Sequence, residues 1–327
     1  MQERDAEVSG STAGPATGTT AGTTAGLPPS GRQFELSAGP YRAGIAAVGA
    51  TLRFLERDGS PLVDGFGADS LPSGGRGQSL LPWPNRIDGG SYTFQGRMYT
   101  LALSEPAKGN AIHGLLRWVP WQAAEVRPDA VTLRAEVAAQ PGYPSSLDVE
   151  VEYRLSQKGL TVVTTVRNTG RSSAPFGAAV HPYLSAGADS VDETYLQFGA
   201  TTRVLVDERS LPTGDEQVAD TPYDFSAGKP VGDVQIDHAF GGLRRDSDGL
   251  FRVRLRGEYE TVVWQDDAYP WLQIYTSDTL SGAEFRRSVA VEPMTCPPNA
   301  FVSGRDVVVL EPGETWTGTW GISSGSS

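Results

Sequence analysis

Five residues of this chain have the types and settings to handle protons or hold a polar ligand. They are His113, His181, His238, Glu292 and Arg86. The chain has only three histidines, so each is conspicuous. His181 sits in Pro175–Gly187, reading P-F-G-A-A-V-H-P-Y-L-S-A-G, after the strand-like run Leu160–Asn168. Pro182 restricts His181 to extended backbone and offers no N–H to a sheet. The spacing predicts a strand that stops or bends at His181 and presents the ring at an edge or mouth. Such an imidazole suits general acid catalysis. Glu292 closes the apolar run Val289-Ala290-Val291 and precedes Pro293. A carboxylate against apolar neighbours has its charged form disfavoured, which moves it toward a base useful near neutrality. The ordinary alternatives are a hydrogen-bonded structural histidine and an edge-strand glutamate facing water.

Arg86 lies in the rigid Pro82-Trp83-Pro84-Asn85-Arg86-Ile87, where its fork of donors suits oxygen ligands or capped carbonyls. His113 lies in Gly109-Asn110-Ala111-Ile112-His113-Gly114, and His238 follows Asp237; all three histidines read as loop residues. Trp118 and Trp121 follow His113 and suit either a sugar face or the core. Zinc would call for paired ligands at short spacing, and the sequence has no such pair. There is no G-x-S-x-G elbow, phosphate loop or dinucleotide fingerprint. The lone Cys296 has no basic neighbour in sequence.

The elements that must position these residues read as strands. Val131, Leu133, Ala135 and Val137 alternate with polar residues, as do Leu147 to Leu155 and Phe251 to Leu255. Leu160–Val166 and Val307–Leu310 are richer in apolar residues and are expected to lie deeper. Turns are marked at Gln95-Gly96, Lys158-Gly159 and Pro312-Gly313. With 39 Gly and 23 Pro, and no capped helical stripe, the expected fold is all-β, a large antiparallel β-sandwich. The longest loop is expected over Gly199–Lys229. Residues 1–31 are expected to be a disordered Gly/Ser/Thr/Ala-rich tail, and 32–327 a single domain.

The chain has 327 residues, a formal net charge of −12 and 39% hydrophobic residues. An acidic protein of this kind is a poor partner for nucleic acid or an anionic membrane. One cysteine excludes an intrachain disulfide, and no apolar run reaches the ~18 residues of a membrane span. The start lacks the apolar core of a secretory signal, so the expected location is cytoplasmic.

Taken in order, the segments resemble the aldose 1-epimerases (galactose mutarotases). The carriers are Asn85-Arg86-Ile87, the turn and strand of Tyr92–Leu101, Asn110–Gly114, and Arg167-Asn168 with His181-Pro182-Tyr183. Asp237-His238-Ala239-Phe240, Val291-Glu292-Pro293 and Leu310-Glu311-Pro312-Gly313-Glu314 continue the match. The resemblance implies a β-supersandwich with its site in a cleft, and interconversion of the α and β anomers of a free aldohexose without a cofactor or metal. It implies Glu292 as base and His181 as acid, with Arg86, His113 and Asp237 holding sugar oxygens. The expected partner is a monosaccharide, bound by a monomer or weak dimer. The chain departs from the family at Leu115, Leu184-Ser185-Ala186 and Met294-Thr295-Cys296, near the expected pocket walls, which leaves the sugar open. Two alternatives stay open: a hexose-6-phosphate 1-epimerase using Arg117, Arg244 and Arg245, and a sugar-binding protein without catalysis.

Overall fold

The computed structural model describes residues 26–325. Two antiparallel sheets dominate. The larger has nine strands, in the order Gln122–Val126, Ala130–Val137, Leu147–Ser156, Gly159–Asn168, Thr315–Ser324, Glu260–Gln265, Phe251–Arg256, Tyr195–Gln197 and Lys229–Pro230. The second has eight, running Pro212–Gln217, Thr202–Val206, Asp237–Gly241, Trp271–Tyr275, Val289–Met294, Ala179–Val180 and Ser79–Leu80, with Tyr183–Leu184 also paired to Val289–Met294. A four-stranded sheet spans Gln33–Pro61. Among the described residues the one α-helix is the short Ala300–Ser303. No described helix is long and apolar enough to cross a membrane.

Period-two patterning explains the large sheet. Leu147, Val149, Val151, Tyr153 and Leu155 are buried on one face, while Asp148, Arg154 and Ser156 face water. The alternation continues through Leu160, Val162, Thr164 and Val166 on the neighbouring strand. These inward residues share one core with Val289, Val291, Leu272 and Ile274 of the eight-stranded sheet. Residues of the opposite parity, Ala290, Glu292 and Met294, therefore look away from that core. That second face carries the site.

Three expectations change. Val307–Leu310 is not deep: Val309 is 42% exposed, because Val308–Leu310 pairs with the short strand Ala174–Phe176 alone. Gly199–Lys229 is not one loop but holds the hairpin Thr202–Val206/Pro212–Gln217. Asp207 makes its turn by accepting from the backbone N–H groups of Arg209 and Leu211. The turn hid in sequence because Pro-Thr-Gly-Asp-Glu-Gln is poor in strand formers. His238 lies in a strand, Asp237–Gly241, rather than a loop. Of the expected tail, residues 1–25 lie outside the described residues. Its end is tied to the domain through Ser30, whose hydroxyl donates to Ala68 and whose carbonyl accepts from Val48.

Candidate active site

The break expected at His181 is present. Ala179–Val180 and Tyr183–Leu184 are separate short strands with His181-Pro182 between them, and both pair with Val289–Met294. The pairs Ala179↔Met294 and Tyr183↔Ala290 are in one register. That register sets His181 opposite Glu292, across the gap left by Pro182. The imidazole Nε2 lies 3.2 Å from Glu292 Oε1, and both side chains are buried. Glu292 is central in its strand rather than at its end, since the strand continues to Met294.

The next strands extend the row. Glu292 is paired with Gln273, and Asp237 with Tyr275. Gln273 Nε2 donates to Asp237 Oδ1 at 2.7 Å. The expected segments around Arg86 and His113 prove to be partners, Arg86–Asp88 pairing with Asn110–Ile112. His113 N–H donates to Asn85 O, and both residues have positive φ, 62° and 50°. This turn brings the His113 ring edge-on to His181, with centroids 5.7 Å apart. Gly75 closes the other side. A Cβ there would lie 3.0 Å from His181 Cδ2, and its φ of +78° also calls for glycine.

All five expected site residues, His181, Glu292, Arg86, His113 and Asp237, line one cavity of about 350 Å³. Such a volume suits a small molecule. Tyr183, Gln273, Tyr275, Glu105 and Arg117 also line it, with Trp118 exposed at its mouth. His238 does not; it faces Arg203 and Val204 on the other side of its strand. Trp121 belongs to the core. Gln273 was missed from sequence, although a lone amide inside the apolar run Trp-Leu-Gln-Ile-Tyr was a usable signal. Arg244 packs at Gly199, and Arg245 donates to the Gly249 and Gln265 carbonyls, so neither joins Arg117 at the cavity. Among the described residues, no carboxylate lies within ion-pairing distance of Arg117.

Burial dominates the electrostatics. It pushes His181 down to about 3, with smaller contributions from Arg76 and Arg117. It likewise holds His113 well below its ordinary value. Glu292 is pushed well above the carboxylate range, by burial first and then by Asp237. These shifts favour a neutral imidazole beside a protonated carboxyl, rather than the protonated His181 expected from its role. The two groups touch, so they titrate as a coupled pair. Four buried atoms of residues that line the cavity, His113 Nδ1, His181 Nδ1, Gln273 Oε1 and Glu292 Oε2, have no hydrogen-bond partner among the described residues. Buried polar atoms without partners are costly, so this set favours a ligand rich in hydroxyls.

Arg86 is held differently from the rest. Its Nε and Nη2 make a fork on Glu105, at 2.8 and 2.9 Å. Nη1 donates to Asn85 Oδ1 at 3.5 Å and has a second N–H for a ligand oxygen. We expect Arg86→Ala to raise KM by roughly tenfold with kcat little changed, in steady-state kinetics on the enzyme's substrate. Unaltered KM and kcat would remove Arg86 from the binding set.

The family model for aldose 1-epimerase matches residues 32–323. The chain belongs to the aldose 1-epimerase family. This aldose 1-epimerase family member is 37% identical over 287 residues to the uncharacterized protein YihR of Escherichia coli K12, covering 87% of this chain and 91% of that one. It is 27% identical to a galactose mutarotase of Sus scrofa, covering 89% and 94%. Its fold matches that of an aldose epimerase homologue from C. elegans, with a TM-score of 0.79 at 21% identity over 90% of this chain and 98% of the other. The antiparallel supersandwich is thus the family's fold.

Proposed function

We propose that this protein interconverts the α and β anomers of a free aldohexose by opening and reclosing the ring. One observation carries the reading: His181, in the break between two short strands, and Glu292, on the strand that pairs with both, meet at 3.2 Å in a polar cavity of monosaccharide scale. Anomer exchange needs two proton-handling groups, one for the anomeric hydroxyl and one for the ring oxygen. The pair supplies both from a single proton. A hop from Glu292 to His181 Nε2 produces a carboxylate and an imidazolium. The carboxylate takes the proton of the C1 hydroxyl while the imidazolium donates to the ring oxygen, and the C1–O bond breaks. The aldehyde turns about C1–C2 and closes with its other face exposed. The proton transfers then run in reverse, which returns the pair to its starting charge. Arg86, His113, Asp237 and Gln273 hold hydroxyls during the turn. No step needs a cofactor.

The pH profile follows from the directions of the shifts. The active pair carries one proton. On the acid side it gains a second, at a pH set by His181 and depressed by burial toward about 3. On the alkaline side it loses its proton, at a pH set by Glu292 and raised by burial. We expect no acid limb of kcat/KM centred around 6.5, where an ordinary histidine titrates. An acid limb centred there would contradict the one-proton assignment.

A second reading keeps the reaction and changes the substrate to a hexose 6-phosphate. The unpaired Arg117 at the cavity favours it. Anomer exchange measured by NMR on glucose, galactose and their 6-phosphates separates the two. Faster turnover of the free sugars supports the first reading and faster turnover of the phosphates the second. Binding of a sugar without exchange would make the protein a sugar-binding module.

A further inference from the structure

Stacked against His181 is a column of two groups, Tyr183, which also lines the cavity, and Arg76, which does not. The Tyr183 ring is stacked on the His181 imidazole, with centroids 5.0 Å apart and planes 11° from parallel. On Tyr183 lies the guanidinium of Arg76, its Cζ 4.2 Å from the ring centroid. Arg76 is 1% exposed and is not among the residues lining the cavity. It is fixed by Asp64 Oδ2 at 2.6 Å, by the Asp64 carbonyl at 3.0 Å and by Glu284 Oε1 at 3.3 Å. Arg287 and the Ser288 hydroxyl also bond Asp64, so that carboxylate is shared. The Tyr183 hydroxyl donates to the Gly74 carbonyl, which sets the ring's rotation.

We infer that Arg76 and Tyr183 are positioning residues for His181: the ring of Tyr183 sets the imidazole plane, and Arg76 places a fixed positive charge behind it. The catalytic purpose rests on the reading of His181 above, but the charge effect is measurable without activity. A buried cation opposes a second positive charge on the imidazole. It therefore favours the form in which the shared proton stays on Glu292 until a ligand arrives. The other groups facing His181 are Glu292 and His113 beside it and Arg117 toward the mouth, with Asp237 and Arg86 acting through Glu292. Arg76 differs from them in standing outside the cavity lining, so a sugar entering the cavity does not contact or displace it.

The test uses the histidine ring signals in NMR, which are few because the chain has three histidines. His181 is assigned by the signal lost in His181→Asn. In Arg76→Met, both midpoints at which the His181 signals change should move up by on the order of 1 pH unit, since removing a positive charge makes each proton harder to lose. Arg76→Lys should restore most of the shift. The alkaline midpoint suffices where acid unfolding hides the other. A folded Arg76→Met with unmoved midpoints overturns the charge role. If Arg76→Met does not fold, Glu284→Gln serves instead. Glu284 is 34% exposed by side chain; losing its negative charge should move the midpoints down, and no movement or an upward one overturns the role.

The plane-setting role has its own readout. Tyr183→Leu should lower kcat by on the order of tenfold, and Tyr183→Phe, which keeps the ring, should recover most of it. Equal losses in the two variants would overturn that role. Shifted His181 midpoints in a protein inactive on every aldose would sink the epimerase reading while leaving the charge effect standing.

Discussion

Glu292→Gln is expected to lower the anomerisation kcat by at least about a hundredfold while the protein stays folded. The amide has the shape of the carboxyl and still reaches His181, but it cannot exchange a proton with the substrate. A positioned proton-transfer group contributes roughly 10²–10⁴ in rate, and this one acts on the anomeric hydroxyl in both directions. The fold should tolerate the change for a specific reason. Burial raises the Glu292 carboxyl and so favours its neutral form, and the substitution puts a neutral side chain of the same shape in its place. The melting temperature should stay within a few degrees of wild type, measured by circular dichroism or calorimetry. Activity within tenfold of wild type would take Glu292 out of the mechanism.

His181→Asn should produce a loss of similar size, at least about a hundredfold in kcat, because the ring oxygen then has no proton donor of its own. Its effect on stability should be larger. The imidazole fills the space between Tyr183, Gly75 and His113, and a shorter side chain leaves part of that contact unmade. A cost of about 1–3 kcal/mol is reasonable for such a truncation. The double variant His181→Asn/Glu292→Gln should be little slower than the slower single one, because the two groups share one proton and act as a unit. Losses that multiply would mean that the two work independently.

The legible part of this protein was what depends on neighbours in sequence. Pro182 forced a stop at His181, and alternation over Leu147–Leu155 announced a half-buried strand; both are present. The contact between His181 and Glu292 was not legible from spacing. It depends on which strand pairs with which, and in what register, and local sequence does not carry that information. The protonation of the pair depended equally on burial. The role expected for His181 suggested a cation, whereas its burial favours the neutral ring. Gln273 and Arg76 stayed hidden because an amide or guanidinium in isolation looks like surface, and only the fold shows both buried. The hairpin after Gly199 was missed because its second strand lacks strand-forming residues and is held by pairing alone.

The account stands or falls on whether the buried imidazole and carboxyl open a sugar ring. Its most direct test is the optical rotation of freshly dissolved α-D-glucose and α-D-galactose, followed with and without catalytic amounts of protein. Relaxation to the anomeric equilibrium should be accelerated in proportion to protein concentration, for at least one of the two sugars, and Glu292→Gln should return it to the spontaneous rate. Relaxation at the spontaneous rate for both sugars with the wild-type protein would contradict the proposal of a free-aldohexose epimerase.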